Sequence, residues 1–526
     1  MPDQDVDIIN ADVTVFAETN YRSQLKRFGI KENDRCNHMY VIGKTGTGKS
    51  TLLENLVIQD LKKNKGLALI DPHGDMVERI LNFVPSWRVN DVIYFNPADV
   101  NYPIGFNVME VKNEAEKHLV SSGLISVFKK LWSDSWGPRL EYVLRNCILA
   151  LLENEGSTLL GIMKLLVDRD YRARIVRHVR DPIVKNFWEE EFAKYPERFQ
   201  AQAISPIQNK VGQFLSSSLI RNILGQVKSS FDLSDIMKTN KILLMNLSKG
   251  RIGEDASALL GAMMVTKLQL TAMERINMPE SERENFYLYV DEFQNFATDS
   301  FADILSEARK YKLCLILAHQ YLEQVEEKLR AAIFGNVGTL ITFRLGSLDA
   351  EIIARELYPT FSAQDILKLD KYQIYLKLSI DGTISEPFSA VTLQPSYEGG
   401  NQSVIKKVSR ERYSVLKTII EDKIERWSHN NTSTFEAVAR VGIKSREADR
   451  VQEAEYEEMP PSLRAAPALT AALITRNRET TQKKPQKSAE TLEKITHAEK
   501  EAQKSKLPKK AVSAPVGVDP NQTIRL

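Results

Sequence analysis

The sequence is poor in cysteine and has neither a long apolar run nor a secretion signal. Its three cysteines, Cys36, Cys147 and Cys314, are widely separated and lack metal-ligand spacing, which excludes a zinc site and suits a reducing cytosol. No apolar run approaches the roughly 20 residues that a membrane span needs. The acidic start MPDQDVDIIN lacks the features of a secretion signal. These absences predict a cytoplasmic protein without a membrane anchor of its own.

The chain also lacks an excess of charge of either sign. Its 71 basic and 69 acidic residues give a formal net charge of +2, which neither requires nor excludes a nucleic-acid partner. Any contact with DNA must therefore be local. With 526 residues, the chain is too long for one ordinary domain and can bury several cores.

What the chain does contain is a phosphate-binding loop. The run GKTGTGKST at 43–51 fills every fixed position of the pattern G-x-x-x-x-G-K-[ST]. A strand-like apolar run, Met39–Ile42, precedes the loop, and apolar residues at helical spacing follow it over 52–57. The predicted nucleotide-binding residues are Gly43, Lys44, Thr45, Gly46, Thr47, Gly48, Lys49, Ser50 and Thr51.

The residue types of this loop predict ATP and Mg²⁺ as cofactors. Glycines let backbone N–H groups close around phosphate oxygens at a helix N-terminus, where the peptide dipoles favour negative charge. Lys49 is expected to reach the β and γ phosphates, and Ser50 to offer its hydroxyl to Mg²⁺. The alternative is a Gly/Thr-rich turn with a chance lysine, which the strand-loop-helix setting disfavours.

A second motif supplies two acids. The uncharged, aromatic-rich run Phe286–Val290 ends in Asp291 and Glu292, at the carboxyl edge of a parallel sheet, where open α/β folds bind ligands. Asp291 fits an outer-sphere contact with Mg²⁺. Glu292 fits the base that polarises the attacking water. Alone, such an acidic pair is more often a helix cap, but together with the phosphate-binding loop it favours catalysis.

The next apolar run, 313–318, ends in His319 and Gln320. A polar side chain at the end of the strand beside the acidic one can sense the γ-phosphate or orient water, and Gln320 is the predicted residue. The alternative is that Gln320 only caps the following helix. Cys314 and His319 are assigned to packing and support, since no other residues complete a metal site.

The fold class follows from further apolar runs that alternate with helical stretches. Continuous apolar runs are typical of strands buried on both faces, so the chain is predicted to be α/β with a mostly parallel sheet. The predicted strands lie at 39–42, 67–70, 92–95, 242–245, 286–290, 313–318 and 340–343. The polar ends of two of them, Asp71 to Asp75 and Asn96-Pro97, either line the site or form turns.

Between 111 and 234 the pattern is helical throughout, which predicts an all-helical insertion within the nucleotide-binding core. It carries an arginine cluster that either touches a phosphate backbone or forms a solvated helix face, the latter being favoured. The cluster consists of Arg172, Arg174, Arg177 and Arg180.

The pattern changes again after Leu345. Alternating residues over 374–380, followed by Asp381-Gly382, predict antiparallel edge strands joined by a hairpin turn. A helical C-terminal extension is predicted at 395–441. The remainder, 442–526, is rich in charged and small residues and is predicted to be a disordered charged tail, with a lysine-rich stretch at 483–510.

Several segments, in order, resemble the coupling ATPases of type IV secretion and conjugation, within the FtsK/HerA group of P-loop DNA-pumping ATPases. The resemblance covers roughly 34–393. It rests on HMYVIGKTGTGKST, ALIDPHGD, FNPADVNYPIGFNVM, WGPRLEYVLRN, ILLMNLSKGRIGEDASALLGAMM, FYLYVDEFQNFA and SEARKYKLCLILAHQ.

The resemblance implies a RecA-like motor domain interrupted by an all-helical domain, and a homo-hexameric ring that pumps DNA through a central channel. The implied domains are a leader at 1–37, the motor at 38–110 and 235–394, and the insertion at 111–234. The resemblance also assigns Lys49 and Ser50 to nucleotide and Mg²⁺, Asp291 and Glu292 to the acidic motif, and Gln320 to the sensor.

An arginine is also implied. Arg309, in SEARKYK, aligns with an arginine that the family supplies across the subunit interface as a finger, which would neutralise charge on the transferred phosphoryl group. Arg344 is the second candidate. An ordinary salt-bridge role stays open for both.

Unlike typical members, which begin with membrane-spanning helices, this chain reaches its phosphate-binding loop after a short leader. We therefore expect contact with the inner face of the cell membrane only through a partner, such as relaxase or secretion-channel proteins. Besides a DNA translocase of the coupling type, two functions stay open. One is a cytosolic HerA-like DNA-processing motor working with a nuclease, and the other is a nucleotide-dependent protein-recruiting module.

Overall fold

The computed structural model describes residues 12–20, 25–298, 301–396 and 400–429. All of them lie in one compact unit, Met1–Thr432. The predicted disordered tail, 442–526, and the first part of the predicted leader, 1–11, lie outside these residues.

A mixed sheet of eleven strands forms the centre of the described part, in the order β2-β1-β13-β10-β9-β3-β8-β7-β4-β6-β5. The seven from β9 to β5 are mutually parallel. The strands of this sheet are β1 Val13–Thr19, β2 Arg27–Lys31, β3 Met39–Ile42, β4 Gly66–Asp71, β5 Val92–Phe95, β6 Ile242–Asn246, β7 Phe286–Val290, β8 Leu313–His319, β9 Thr339–Thr342, β10 Gln373–Lys377 and β13 Phe388–Thr392. Two short strands, β11 Ser379–Ile380 and β12 Thr383–Ile384, form a separate two-stranded sheet.

Each apolar run identified in the sequence forms one of the parallel strands, so the predicted fold class is confirmed. Because successive side chains of a strand point to opposite faces, each strand serves two cores. In β3, Tyr40 and Ile42 pack into the core on one face, whereas Met39 and Val41 pack into the core on the other. The sheet is therefore covered on both sides, as parallel sheets require.

The antiparallel strands lie differently from the prediction. β10 and β13 are antiparallel as predicted, and Asp381 and Gly382, both with positive φ, form the two-residue turn between β11 and β12. However, β10 and β13 are not at the edge, because β1 pairs with β13 and β2 pairs with β1. The predicted leader thus contributes the edge of the sheet, with Phe16 fully buried.

The helices cover both faces of the sheet and fill the insertion. They are α1 Glu32–Arg35, α2 Lys49–Lys62, α3 Asp75–Ile80, α4 Glu116–Leu131, α5 Pro138–Leu152, α6 Leu160–Val167, α7 Arg169–Arg177, α8 Pro182–Asn186, α9 Glu197–Ile207, α10 Gln213–Ser216, α11 Ser218–Leu224, α12 Leu233–Lys238, α13 Lys249–Ile252, α14 Glu254–Met273, α15 Phe301–Glu307, α16 Glu327–Asn336, α17 Ser347–Glu356, α18 Ala363–Leu367, α19 Gln402–Tyr413 and α20 Lys417–His429. Two π-helical turns, Phe187–Glu191 and Gln208–Gly212, directly follow α8 and α9 within the insertion.

The insertion is helical, as predicted: residues 111–234, all of which are described, contain no strand. Its apolar residues are continuous with the core on one face of the sheet. The contact is close at α4, where a Cβ on Gly123 would lie 2.6 Å from Thr266 Cγ2 on α14. The domain limits themselves stay predictions.

One arginine of the cluster in the insertion, Arg172, has a local structural role. Arg172 donates hydrogen bonds to the carbonyls of Leu165 (3.0 Å) and Leu166 (3.1 Å) at the end of α6. Its guanidinium also lies 5.2 Å from the ring centroid of Phe192. These contacts favour a structural role for Arg172 over phosphate binding.

The two C-terminal helices, α19 and α20, contact the nucleotide-binding core and the insertion, respectively. On α19, Lys406 forms an ion pair with Glu78 of α3 at 2.5 Å. On α20, Glu421 accepts a hydrogen bond from Asn222 of the insertion at 3.1 Å. The predicted helical extension is present over the described residues 402–429.

Two of the three cysteines are bonded to each other, although they are far apart in the sequence. A disulfide joins Cys36 and Cys314, which are 278 residues apart in the sequence. They meet because Cys36 lies just before β3, and β3 pairs with β8, which carries Cys314. Cys314 was predicted only to pack in the core, and in the structure it also forms this disulfide. Cys147 is free and buried, and burial raises the pKa of its thiol.

One helix among the described residues is long and apolar enough to cross a membrane, contrary to the sequence expectation. It is the 24-residue stretch Glu254–Asn277, which includes α14, and 67% of its apolar window is buried inside the protein. Leu260, Met264 and Leu268 of this helix belong to the core beneath the sheet. Length and composition alone are weak support for a span, since buried core helices meet the same criteria.

Candidate active site

The phosphate-binding loop joins β3 to α2 in a conformation that its glycines make accessible. Gly46 has φ 78° and Gly48 has φ 125°, both in a region that other residues rarely adopt. Gly43 is required for a different reason: a Cβ there would lie 2.5 Å from Phe343 Cβ. The sequence pattern thus matches the backbone geometry of the loop.

Neighbouring strands hold the loop through its backbone. Gly43 N–H donates to His319 O of β8 at 3.2 Å, and Lys44 N–H donates to Arg344 O beyond β9 at 3.0 Å. From the antiparallel side of the sheet, Tyr372 N–H donates to Thr47 O at 2.8 Å. The loop is therefore fixed from both sides.

Lys49 turns back over this loop. Its Nζ donates to Gly43 O at 2.5 Å and to Lys44 O at 3.3 Å. Burial lowers the pKa of Lys49, while the nearby charges of Glu292 and Asp291 act in the opposite direction. The ammonium is thus buried against neutral carbonyls, which makes it available to an anion.

The N-terminus of α2 is similarly available. Gly48 is its N-cap, and no side chain caps the helix. The first N–H groups of a helix have no intrahelical acceptor, and the helix dipole makes this end positive. These donors and Lys49 together form a site that suits phosphate groups.

The two acids lie at the end of β7, each only 5% exposed. Burial, together with the charges of Glu292 and Asp71, raises the pKa of Asp291 to about 7. Glu292 has φ 46° and ψ 50°, a left-handed conformation that costs a non-glycine residue about 1–2 kcal/mol. Such strain is typical of functional sites.

This arrangement of acids fits Mg²⁺. Burial, and then the neighbouring carboxylates, raise the pKa of Asp291, and the charge of a divalent cation would act in the opposite direction. Across the described ranges, no group of three or more His, Cys, Asp or Glu side chains could hold a metal on its own. Mg²⁺ does not need such a group, since one or two carboxylates and the phosphates of its nucleotide usually hold it.

Gln320, at the end of β8, connects the acids to the loop. Its Nε2 donates a hydrogen bond to Glu292 Oε1, and its Oε1 accepts one from Thr45 Oγ1 at 2.7 Å. The neighbouring His319 Nδ1 lies 3.1 Å from Tyr40 Oη, and burial lowers the pKa of His319 to about 3. Gln320 contacts the site itself, whereas His319 supports it from within the core.

The two candidate arginines lie at opposite ends of the parallel strands, one at the amino ends and one at the carboxyl ends. Arg309 is exposed just before the amino end of β8, close enough to His38 that its charge contributes to lowering the pKa of that histidine. Arg344 is exposed beyond the carboxyl end of β9, next to the phosphate-binding loop. Arg309 therefore lies at the end of the strands opposite to the phosphate-binding loop of its own chain.

The polar ends of β4 and β5 form turns. The Asp71 carboxylate accepts hydrogen bonds from the backbone of His73 (2.8 Å) and Met76 (2.9 Å), which fixes the start of α3. Asn96 Oδ1 similarly accepts from Ala98 N at 3.2 Å. Asp71 also affects the site through its charge on Asp291.

Sequence reasoning missed two residues at the site. Tyr372 covers the loop, and a Cβ on Gly48 would lie 2.8 Å from its Cδ1. Gln294, in the turn after β7, donates to Glu292 Oε2 at 3.0 Å. Gln294 lies only two residues after Glu292 in the sequence, and this spacing could have predicted a contact between them. Nothing in the sequence near Tyr372 indicated a contact with the phosphate-binding loop.

The chain is similar to known proteins both in sequence family and in fold. A family model described as the type IV secretion-system coupling protein DNA-binding domain matches residues 24–370. The bacterial conjugative coupling protein TrwBdeltaN70, in its unbound monoclinic form, is 16% identical with a TM-score of 0.50, over 71% of this chain and 88% of that one. The plasmid coupling protein TrwB in complex with ADP and Mg²⁺ is 16% identical with a TM-score of 0.50, over 73% and 91%.

VirB4 of Thermoanaerobacter pseudethanolicus is 12% identical with a TM-score of 0.49, over 73% of this chain and 96% of that one. No curated protein sequence matches the chain. At such identities the structural likeness shows the fold alone. The family match spans well over half of the 526 residues, and the chain therefore belongs to the family of type IV secretion-system coupling proteins.

Proposed function

We propose that this protein is an ATP-driven DNA translocase that hydrolyses ATP at the subunit interfaces of a homo-hexameric ring. The main supporting observation is the convergence of Lys49, Glu292 and Gln320 at one edge of the sheet. The family match, and the fold shared with TrwB, support the coupling type of motor. Its substrate would be DNA or a nucleoprotein, delivered with relaxase or secretion-channel partners.

ATP and Mg²⁺ are the proposed cofactors. The uncapped N-terminus of α2 and the buried Lys49 would hold the β and γ phosphates, and Ser50 and Asp291 would hold Mg²⁺. The solved structure of TrwB in complex with ADP and Mg²⁺ supports binding of an adenine nucleotide together with Mg²⁺ here. When bound, the metal neutralises charge on the phosphates.

Of the two acids, Glu292 would act on the attacking water rather than on the nucleotide or its metal. Glu292 is the proposed base, because its carboxylate is held at the edge of the sheet that carries the phosphate-binding loop. Gln320 bridges Glu292 and Thr45, so a movement of the phosphate-binding loop would also move the Glu292 carboxylate. Cytoplasmic location, with membrane contact through a partner, completes the proposal.

Adding DNA to the purified full-length chain tests the proposed function. We expect ATP hydrolysis that rises about tenfold or more when DNA is added, because a motor couples turnover to its track. The assay compares single- and double-stranded DNA, with a polyanion such as heparin as the control for charge alone. Hydrolysis that DNA does not stimulate would contradict the translocase and favour the protein-recruiting module.

Replacing Glu292 by Gln tests the assignment of the base. We expect hydrolysis to fall by about a hundredfold or more, since an amide cannot accept the proton of the attacking water. Nucleotide affinity should stay within about twofold, because the substitution removes no phosphate ligand. Fluorescent-nucleotide titration alongside the hydrolysis assay separates the two effects. Loss of binding would make Glu292 a structural residue instead.

A further inference from the structure

Two side-chain amides hold the Glu292 carboxylate, one on each oxygen. Gln320 Nε2 donates to Oε1, and Gln294 Nε2 donates to Oε2 at 3.0 Å. Gln294 belongs to the short 3-10 turn Phe293–Asn295 that follows the acids. Two donors on opposite oxygens fix the plane of the carboxyl group, while each oxygen keeps a further lone pair for water.

The chemistry of the contact determines how the Gln294 amide is oriented. An ionised carboxylate only accepts hydrogen bonds, so the amide must present its nitrogen to Glu292. As a consequence, the buried Gln294 Oε1 has no partner among the described residues.

The same amide nitrogen has a second acceptor. Gln294 Nε2 donates to Gln324 Oε1 at 3.1 Å. Gln324 lies in the segment that follows β8, the strand that Gln320 also follows. The second bond ties the turn after β7 to the segment after β8.

We propose that Gln294 is a positioning residue that orients the Glu292 carboxylate for attack by water, with Gln324 holding the Gln294 amide in place. This inference rests on the ATP hydrolysis proposed above. Glu292 also has a left-handed backbone, and a strained residue persists only where its surroundings fix it.

Gln294→Met tests the proposal with little change in length or volume. We expect kcat to fall by about tenfold or more, because small misplacements of a catalytic group are costly. The KM for ATP and the affinity for nucleotide should stay within about twofold, since the Gln294 side chain is bonded to Glu292 and Gln324. Gln324→Met should lower kcat in the same direction by a smaller factor.

Gln213→Met is the matched control, because Gln213 is an exposed glutamine of the insertion. It should leave kcat unchanged. In a Glu292→Gln background, Gln294→Met should cause no further loss of single-turnover rate, since the group that it positions is already absent. A further loss there would overturn the proposal.

Three other outcomes would also overturn the positioning role of Gln294. Gln294→Met with kcat within about twofold of the wild-type value would overturn the positioning role while leaving the proposed ATPase intact. A fall in kcat with an equal loss of nucleotide affinity would show a disordered loop and would overturn it too. A wild-type chain without ATP hydrolysis would instead overturn the proposed function, and this inference with it.

Discussion

Lys49→Ala should abolish measurable ATP hydrolysis and weaken nucleotide binding sharply. The substitution removes an ammonium that is only 6% exposed and that lies against the carbonyls of Gly43 and Lys44. Nucleotide phosphates would be the strongest acceptors available to it, because charge-assisted hydrogen bonds are about twice as strong as neutral ones. Both the ground state and the transition state would therefore lose stabilisation.

The measurement combines a steady-state hydrolysis assay with titration of a fluorescent ATP analogue. Lys62→Ala is the matched control, because Lys62 is an exposed lysine in the last turn of the same helix. It should behave as the wild type. Near wild-type turnover in Lys49→Ala would contradict the assignment of the phosphate-binding loop.

Arg309→Ala should leave ATP binding normal but slow hydrolysis by about a thousandfold, the lower range measured for arginine fingers in other NTPases. Such a loss equals about 4 kcal/mol of transition-state stabilisation. The reason is the position of Arg309, which is exposed at the amino end of β8, whereas the phosphate-binding loop lies at the carboxyl end of β3. If Arg309 acts on a nucleotide, it would therefore do so in the site of a neighbouring subunit.

Mixing subunits tests the direction of this contact. Arg309→Ala and Glu292→Gln should each be inactive alone, yet a mixed ring should recover some hydrolysis, since certain interfaces pair an intact Glu292 with an intact Arg309. Labelled chains first verify that subunits exchange. Lys310→Ala, an exposed neighbour, is the control for a general loss of positive charge.

Normal hydrolysis by Arg309→Ala alone would eliminate the finger. The assignment would then move to Arg344, which lies beside the loop of its own chain and holds it through a backbone carbonyl. Exchange of subunits without any recovered hydrolysis would argue against a role across the interface.

The sequence by itself determined the parallel core and the main functional elements. Continuous apolar runs such as Phe286–Val290 can be buried only between two layers, and each of them became a parallel strand. The glycine pattern of 43–51 dictated the loop conformation, because only glycine readily adopts the φ values of Gly46 and Gly48. These features are local, and local physics suffices to predict them.

Tertiary structure alone decided which distant segments meet. The short strand Val13–Thr19 has no long apolar run, and it joins the sheet because β13 leaves an unpaired edge beside it. Cys36 and Cys314 meet only because β3 pairs with β8. The Gln294 and Gln320 amides reach one carboxylate because β7 and β8 are neighbours, a fact about strand order rather than about composition. Strand order depends on the packing of the whole chain, so no single segment could specify it.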